Sequence, residues 1–240
     1  MNQSPLDTLA TRLAAHLDCT QDVVCRQIMR AMAETGQPLA PVHLARHLQM
    51  SQKNLTAHLA RVPDTEFDTQ GNIVGWGITL LPTQHQFRLK ARPLFTWCAF
   101  DTVLFPPLLQ VEAHVQSVCE ASGQPITFVA TPEGIAALLP ATSVLSLILP
   151  AERCDCVRGT FCQQSLFFRS EEAASRWMAL HPEAVLHAAR GSGDSRANGR
   201  PEVAARGSSI TTKGRSIRLA QRAARKNIPD RHSGFQPGTS

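Results

Sequence analysis

The sequence lacks an apolar run long enough to cross a membrane. Its N-terminal segment also lacks the apolar core of a secretory signal, because charged or polar residues interrupt it at Asp7, Arg12, His16 and Asp18. From these two absences we expect a cytoplasmic protein that has no membrane partner.

Cysteine pairs of the CxxC type are also missing from the sequence. The cysteines number seven, and cytosolic thiols usually stay reduced, so a full disulfide framework is not expected. Without a CxxC pair a structural zinc site has little support. The cysteines that need an explanation are Cys19, Cys25, Cys98, Cys119, Cys154, Cys156 and Cys162.

Positive charge is scarce over most of the chain and concentrated at its end. Residues 1–187 contain 13 Lys/Arg and 16 Asp/Glu, whereas residues 188–240 contain 11 and 3. The basic character therefore belongs to a segment rich in Gly, Ser and Arg, which has too few apolar residues to offset the entropy lost on ordering. We predict that residues 189–240 form a disordered basic tail.

Apolar residues repeat at helical spacing in the first part of the chain. Gly36 stands where a C-terminal cap belongs, Pro41 can open a short helix, and Ser51 can cap the next one. The inward positions are Leu6, Leu9, Leu13 and Leu17 in a first helix, Val24, Cys25, Ile28, Met29 and Met32 in a second, and Leu55, Leu59 and Val62 in the last.

Residues 44–59 have the spacing of a helix-turn-helix, and an alternating apolar run follows at 73–80. A turn centred on Pro82 leads to a second predicted strand at 85–89, which would complete a β-hairpin. Helices followed by a hairpin predict a winged-helix-like unit at roughly residues 20–90.

The winged-helix-like unit offers few charges to DNA. Its second helix-turn-helix segment carries only Lys53 and Arg61 for contacts with phosphates. A helix that reads DNA usually has a denser basic face. We therefore interpret the unit as structural and expect no specific nucleic-acid partner.

Predicted strands cluster in the second part of the chain instead of alternating with helices. A helix is predicted from Pro93 to the Pro106-Pro107 pair, and Ser170 is predicted to cap a final helix with Ala174 and Trp177 inward. The predicted strands cover residues 113–119, 125–130, 143–149 and 160–168.

Together these patterns indicate the α+β class. They divide the chain into a winged-helix-like N-terminal helical domain with a β-hairpin (1–90), a mixed α+β domain (91–188) and the basic tail (189–240).

The segment RPLFTWCAFDTVLFP (92–106) carries the chemistry. Cys98 and Asp101 are three residues apart, so on a helix they share a face, and a carboxylate beside a thiol can take and return its proton. Apolar surroundings would raise the pKa of the Asp101 carboxyl. Cys162 lies in a predicted strand among phenylalanines. Two thiols and one carboxylate suit a soft, thiophilic metal.

These residues and their flanks resemble the alkylmercury (organomercurial) lyase family over roughly residues 20–187. Many separate segments match in order and with similar spacing, which is far more specific than a lone CxxD. The matching segments are FDTQGNIVGWGITL (67–80), LFTWCAFDTVLFP (94–106), VQSVCEASGQP (115–125), VLSLILP (144–150) and TFCQQSLFF (160–168).

The resemblance implies protonolysis of the carbon–mercury bond, in which an organomercurial gives a hydrocarbon and Hg²⁺. Cys98 and Cys162 match the two catalytic cysteines, Asp101 matches the proton-handling aspartate, and all three would contact mercury transiently. Cys119 matches a cysteine of mainly structural role. The family needs no organic cofactor, since Hg²⁺ is the product, and mercuric reductase or cellular thiols would accept that ion.

Two other functions remain open from the sequence. A winged-helix regulator could sense mercury through Cys98, Cys119 and Cys162, although a sensor has no use for a proton donor such as Asp101. Alternatively, the chain is a lyase made defective by its C-terminus, because the sequence departs from the family after about residue 188.

Overall fold

A computed structural model describes residues 22–62, 64–148 and 157–189. The helix predicted around Leu6–Leu17, the tail from residue 190 onward, and Cys19, Cys154 and Cys156 lie outside these residues. The helices are α1 (Val23–Thr35), α2 (Pro41–His47), α3 (Gln52–Leu59), α4 (Ala99–Leu109), α5 (Val157–Thr160) and α6 (Glu171–Leu180), with a 3₁₀ turn at Cys162–Gln164.

The strands form two antiparallel sheets, and with the helices they make a mixed α+β fold. The larger sheet has eight strands in the order β1-β2-β3-β5-β4-β6-β7-β8, and the smaller has the order β10-β9-β11. The strands are β1 (Glu66–Phe67), β2 (Ile73–Trp76), β3 (Ile78–Thr79), β4 (Gln86–Leu89), β5 (Arg92–Thr96), β6 (Ala113–Val118), β7 (Pro125–Thr131), β8 (Gly134–Leu139), β9 (Val144–Leu147), β10 (Phe167–Phe168) and β11 (Val185–Ala188).

The predicted helix caps are confirmed. Gly36 ends α1 in the left-handed region, at φ 63°, where a glycine avoids the clash of a Cβ. Pro41 is the first residue of α2, and the Ser51 hydroxyl accepts a hydrogen bond from Asn54 N at the start of α3. The apolar faces of α1 and α3 are buried in the core, as their spacing predicted.

The predicted hairpin between residues 73–80 and 85–89 is wrong in its pairing. Gly77 has φ 70° and divides the first run into β2 and β3, which pair with each other. β3 then pairs with β5, and β4 pairs with β5 and β6. The alternation identified strand residues but could not fix the partner strand.

We expect Gly77→Ala to destabilise the fold. A Cβ at Gly77 would stand 2.6 Å from Phe105 Cζ, a ring atom in the core, and the left-handed backbone adds strain. Together we expect a loss of roughly 2–5 kcal/mol in the free energy of unfolding, measured by urea denaturation. Gly123→Ala is the matched control, because Gly123 has φ 66° and no atom within 4 Å of its Cβ position. Equal losses in the two variants would contradict the role of Phe105.

Helix α4 differs from its predicted bounds. Pro93 lies inside β5, and the helix begins at Ala99 and continues through Pro106 and Pro107. Proline is disfavoured in the interior of a helix, because it lacks an N–H donor and clashes with the preceding turn. In α4, however, all residues except Leu109 are buried. Tertiary packing therefore stabilises this helix more than local propensity destabilises it.

Helix α4 contacts strands of both sheets, including β5, β6, β7, β8 and β9. The core is continuous from the α1 residues to the α6 residue Ala174. Among the described residues, no helix is long and apolar enough to cross a membrane. The larger sheet contains strands from both sides of residue 90, and the division of the chain at that residue stays a prediction.

In the remainder of the chain, the strands predicted at 113–119 and 125–130 and the helix capped by Ser170 are confirmed. The strand predicted at 143–149 is confirmed at Val144–Leu147, and its last residue lies outside the described residues. β8 and β11 were not predicted. Their sequences mix small and apolar residues without the alternation that identifies a strand.

Candidate functional site

Cys98 caps the N-terminus of α4. β5 ends at Thr96, whose hydroxyl donates to the Cys98 carbonyl at 3.1 Å, and the helix starts at Ala99. The Cys98 side chain is fully buried. A strand held in the larger sheet and a buried helix thus fix the position of this thiol from both sides.

Asp101 lies in the first turn of α4 and faces Cys98, as their spacing predicted. One of its carboxylate oxygens accepts a hydrogen bond from Cys98 N at 3.3 Å. The first turn of a helix favours negative charge, because its backbone N–H groups have no partner within the helix. Asp101 is nevertheless only 7% exposed, so burial opposes its ionisation.

Cys162 lies in the 3₁₀ turn, so the strand predicted at 160–168 is wrong over most of its length. Phe161 has a helical backbone conformation, and its carbonyl accepts hydrogen bonds from Gln164 N and the Ser165 hydroxyl. These local bonds replace a strand ladder. Only Phe167–Phe168 pairs with β9.

The fold brings Cys98, Asp101 and Cys162 together. The two sulfurs and a carboxylate oxygen lie within 4.8 Å of one another. Ala99 N donates to the Ser165 carbonyl at 3.2 Å, which ties the start of α4 to the end of the 3₁₀ turn. The rings of Phe100 and Phe161 also make an edge-to-face contact, with centroids 5.5 Å apart.

The environment of the three groups favours their protonated forms. Burial raises the pKa of Asp101 to about 7, as the apolar surroundings predicted. Burial likewise raises the pKa of the Cys98 thiol. The hydrogen bond with Cys98, together with burial, raises the pKa of Cys162. The resting site is therefore a pair of thiols beside a carboxyl that can hold or release a proton near neutral pH.

The raised pKa of Asp101 predicts a pH-dependent stability. Its ordinary value is 3.8, so between pH 3.8 and about 7 the unfolded chain loses this proton while the folded chain keeps it. Stabilisation from the protonated carboxyl is fully present below pH 3.8 and is lost as the pH rises to about 7, by about 1.4 kcal/mol per pH unit.

We therefore expect wild type to lose stability relative to Asp101→Asn over this range, by about 4 kcal/mol in total, and to change little from pH 7 to 8. Urea denaturation of both proteins from pH 4 to pH 8 measures the difference. A constant difference across that range would contradict the raised pKa.

A cavity of about 360 Å³ opens beside Cys162. Cys162 contributes to its wall, whereas Cys98 is fully buried and is not among the residues that line it. The lining residues are Asp64, Trp97, Arg158, Gly159, Cys162 and Gln163. Of the two site cysteines, only Cys162 is therefore next to the cavity.

The sequence did not identify Arg158, which lines this cavity, or Glu66, which pairs with Arg158. The Arg158 guanidinium pairs with the Glu66 carboxylate and stands 5.5 Å from the centroid of the Trp97 ring. These residues are distant in sequence and have no motif. Only the approach of β1 to α5 in the fold brings them together.

Cys119 lies outside the three-residue centre, in the turn after β6. Burial would raise its pKa, but the Ser122 hydroxyl and nearby backbone N–H groups donate to the sulfur, and the pKa is lower than usual. Its backbone N donates to the Gln124 carbonyl at 2.8 Å and closes the turn. These contacts are consistent with a structural role, which stays a prediction.

The fold and the site together define a mixed α+β protein with a buried dithiol-carboxylate centre, a ligand set that suits a soft metal. The family model for alkylmercury lyase matches residues 78–190, which include all three residues of that centre. The chain belongs to the alkylmercury lyase family.

Individual relatives agree with this assignment. The alkylmercury lyase of Streptomyces lividans is 34% identical over 76% of this chain and 86% of its own length. That of Pseudomonas putida is 40% identical over 61% of this chain and 69% of its own length. The crystal structure of the mercury-bound form of MerB2 superposes with a TM-score of 0.62 and 22% identity, covering 78% of this chain and 92% of that one.

Proposed function

We propose that this protein is an organomercurial lyase that cleaves carbon–mercury bonds by protonolysis at Cys98, Cys162 and Asp101. The observation that carries the proposal is the meeting of two buried thiols and one carboxyl within 4.8 Å. Thiolates are the ligands that mercury prefers, and the carboxyl supplies a proton carrier in contact with them.

The reaction starts when the organomercurial R–Hg⁺ enters the cavity and binds the sulfur of Cys162, which forms part of the wall. In the fraction of sites where Asp101 is ionised, one thiol proton passes to its carboxylate and the other leaves to solvent. Binding to mercury acidifies a thiol and so offsets its raised pKa. Cys98 then adds its sulfur, and the metal carries two thiolates.

Electron donation from two sulfurs weakens the mercury–carbon bond. Its electron pair stays with carbon, which takes the proton from Asp101. The products are the hydrocarbon RH, a Hg²⁺ ion on the two thiolates, and the Asp101 carboxylate. A pKa of about 7 suits this exchange, because the carboxyl can both hold and deliver a proton near neutral pH.

The released Hg²⁺ needs a soft acceptor outside the site. Cellular thiols or mercuric reductase would remove it, and thiols are the class of ligand that a soft metal prefers. We keep the winged-helix-like unit in this proposal, without the predicted hairpin, as a structural element that does not bind specific DNA. The regulator hypothesis accounts for the thiols but gives no role to the Asp101 carboxyl in contact with them.

Anaerobic incubation with phenylmercury and excess thiol tests the proposed function. We expect benzene and Hg²⁺ to appear in equal amounts over many turnovers. Mercury binding without benzene would favour the sensor or the defective lyase. Protein shortened to end at residue 189 serves as a comparison. Turnover in the shortened form but not in the full chain would show that residues 190–240 cause the defect.

A further inference from the structure

Glu66 is a buried carboxylate outside the three-residue centre. Its side chain is 8% exposed, and Oε1 pairs with Arg158 Nη1. Among the residues that the structure describes, Oε2 has no hydrogen-bond partner. A buried carboxylate is costly unless its partner is well placed, so the contact with Arg158 is the reason this position tolerates a charge.

Arg158 links the two cysteine-bearing segments. Its guanidinium stands over the ring of Trp97, the residue before Cys98. Its own backbone, in α5, leads directly into the 3₁₀ turn that carries Cys162. Arg158 N also donates to Asp64 Oδ2 at 3.1 Å. Arg158 therefore contacts Trp97, the neighbour of Cys98, and lies in the same short segment as Cys162.

Gly75 leaves the space that the Glu66 carboxylate occupies. A Cβ at Gly75 would collide with Glu66 Oε2 and would stand 2.6 Å from Thr79 Cβ. Gly75 pairs with Glu66 across β1 and β2, next to an irregularity in the register between Glu66 and Phe67. The larger sheet thus fixes the position of the Glu66 side chain.

We propose that Glu66 is a positioning residue, which holds Arg158 against Trp97 and so fixes the Cys162 segment relative to Cys98. Both thiols can then reach one mercury atom. The proposal rests on the proposed function, and it extends the site to Glu66, which precedes the family match at residues 78–190.

The test compares Glu66→Gln, Arg158→Met and the double variant for benzene release from phenylmercury. We expect each single variant to lose about 10- to 100-fold in kcat/KM, the usual effect of losing a group that orients a metal ligand. The loss should fall on kcat, because Cys162 still meets the substrate while the second thiol is misplaced. The double variant should be no worse than the worse single variant, within about twofold.

Glu112→Gln is the matched control, since Glu112 is an exposed carboxylate whose side chain is 62% accessible, near His114. We expect it to leave kcat and KM unchanged. If Glu66 had only a structural role, Glu66→Gln would lower the melting temperature, and kcat measured well below that temperature would not change. Wild-type kcat in Glu66→Gln, or a double loss equal to the product of the single losses, would overturn the proposal.

Two further readouts keep the outcome decisive. If Glu66→Gln does not fold, Arg158→Met decides alone, because Arg158 is 43% exposed and its replacement is tolerated more easily. Wild-type kcat in that variant would overturn the proposal. The affinity of each protein for Hg²⁺, measured by competition with a dithiol chelator, needs no turnover. An unchanged affinity in both variants would overturn the positioning role even if wild type released no benzene.

Discussion

Replacing Cys98 or Cys162 by serine is expected to lower hydrocarbon release by roughly a thousandfold or more, because the two residues act as a unit. A hydroxyl is a poor ligand for mercury, and a single thiolate cannot load enough charge on carbon to break its bond to the metal. Both substitutions are nearly isosteric, so the buried side chains should still pack. The measurement is benzene formed from phenylmercury in purified variants.

Two further measurements make the cysteine result specific. Each variant should bind an organomercurial through the thiol that remains at the site and yet release little or no benzene. Cys154→Ser and Cys156→Ser are controls, because no matching family position supports a catalytic role for them. Turnover near the wild-type rate in either Cys98→Ser or Cys162→Ser would show that mercury does not need both sulfurs.

Asp101→Asn is expected to separate binding from chemistry. The amide keeps the shape of the side chain but cannot carry a proton, so we expect a loss of about 10²- to 10⁴-fold in benzene release. Both thiols remain, and the variant should still retain Hg²⁺ with a stoichiometry of one. Mercury content and benzene are measured on the same sample.

The control for this variant is Asp22→Asn. Asp22 caps α1 by accepting hydrogen bonds from Val24 N and Cys25 N, and asparagine caps helices equally well. The control should therefore keep full turnover. If Asp101→Asn turned over within a fewfold of wild type, another group would have to deliver the proton.

The sequence predicted which residues form the site better than it predicted the secondary structure that carries them. Cys98 and Asp101 are close in sequence, so helical spacing predicted that they meet, although Cys98 precedes the helix as its N-cap. Their contact with Cys162 depends on the tertiary fold, and only the family resemblance predicted that Cys162 lies in the same site. The strand assigned to Cys162 was wrong, because apolar residues in a short run do not distinguish a strand from a turn of helix.

Glu66, Arg158 and Gly75 show what a single sequence cannot supply. The pairing of Glu66 with Arg158 depends on β1 and α5 meeting, and that contact spans 92 residues of the chain. The order of β3, β5 and β4 was missed for the same reason, since alternation gives the faces of a strand but not its neighbours. Helix ends were predictable because caps act within a few residues.

The most direct test of the account is a single turnover in D₂O, with one equivalent of phenylmercury and no added thiol. The protons of the two thiols and of Asp101 exchange with solvent, so the account predicts one equivalent of monodeuterated benzene and one Hg²⁺ retained by the protein. Undeuterated benzene would show that the hydrogen does not come from these groups. The absence of benzene, with phenylmercury still bound, would contradict cleavage by this site.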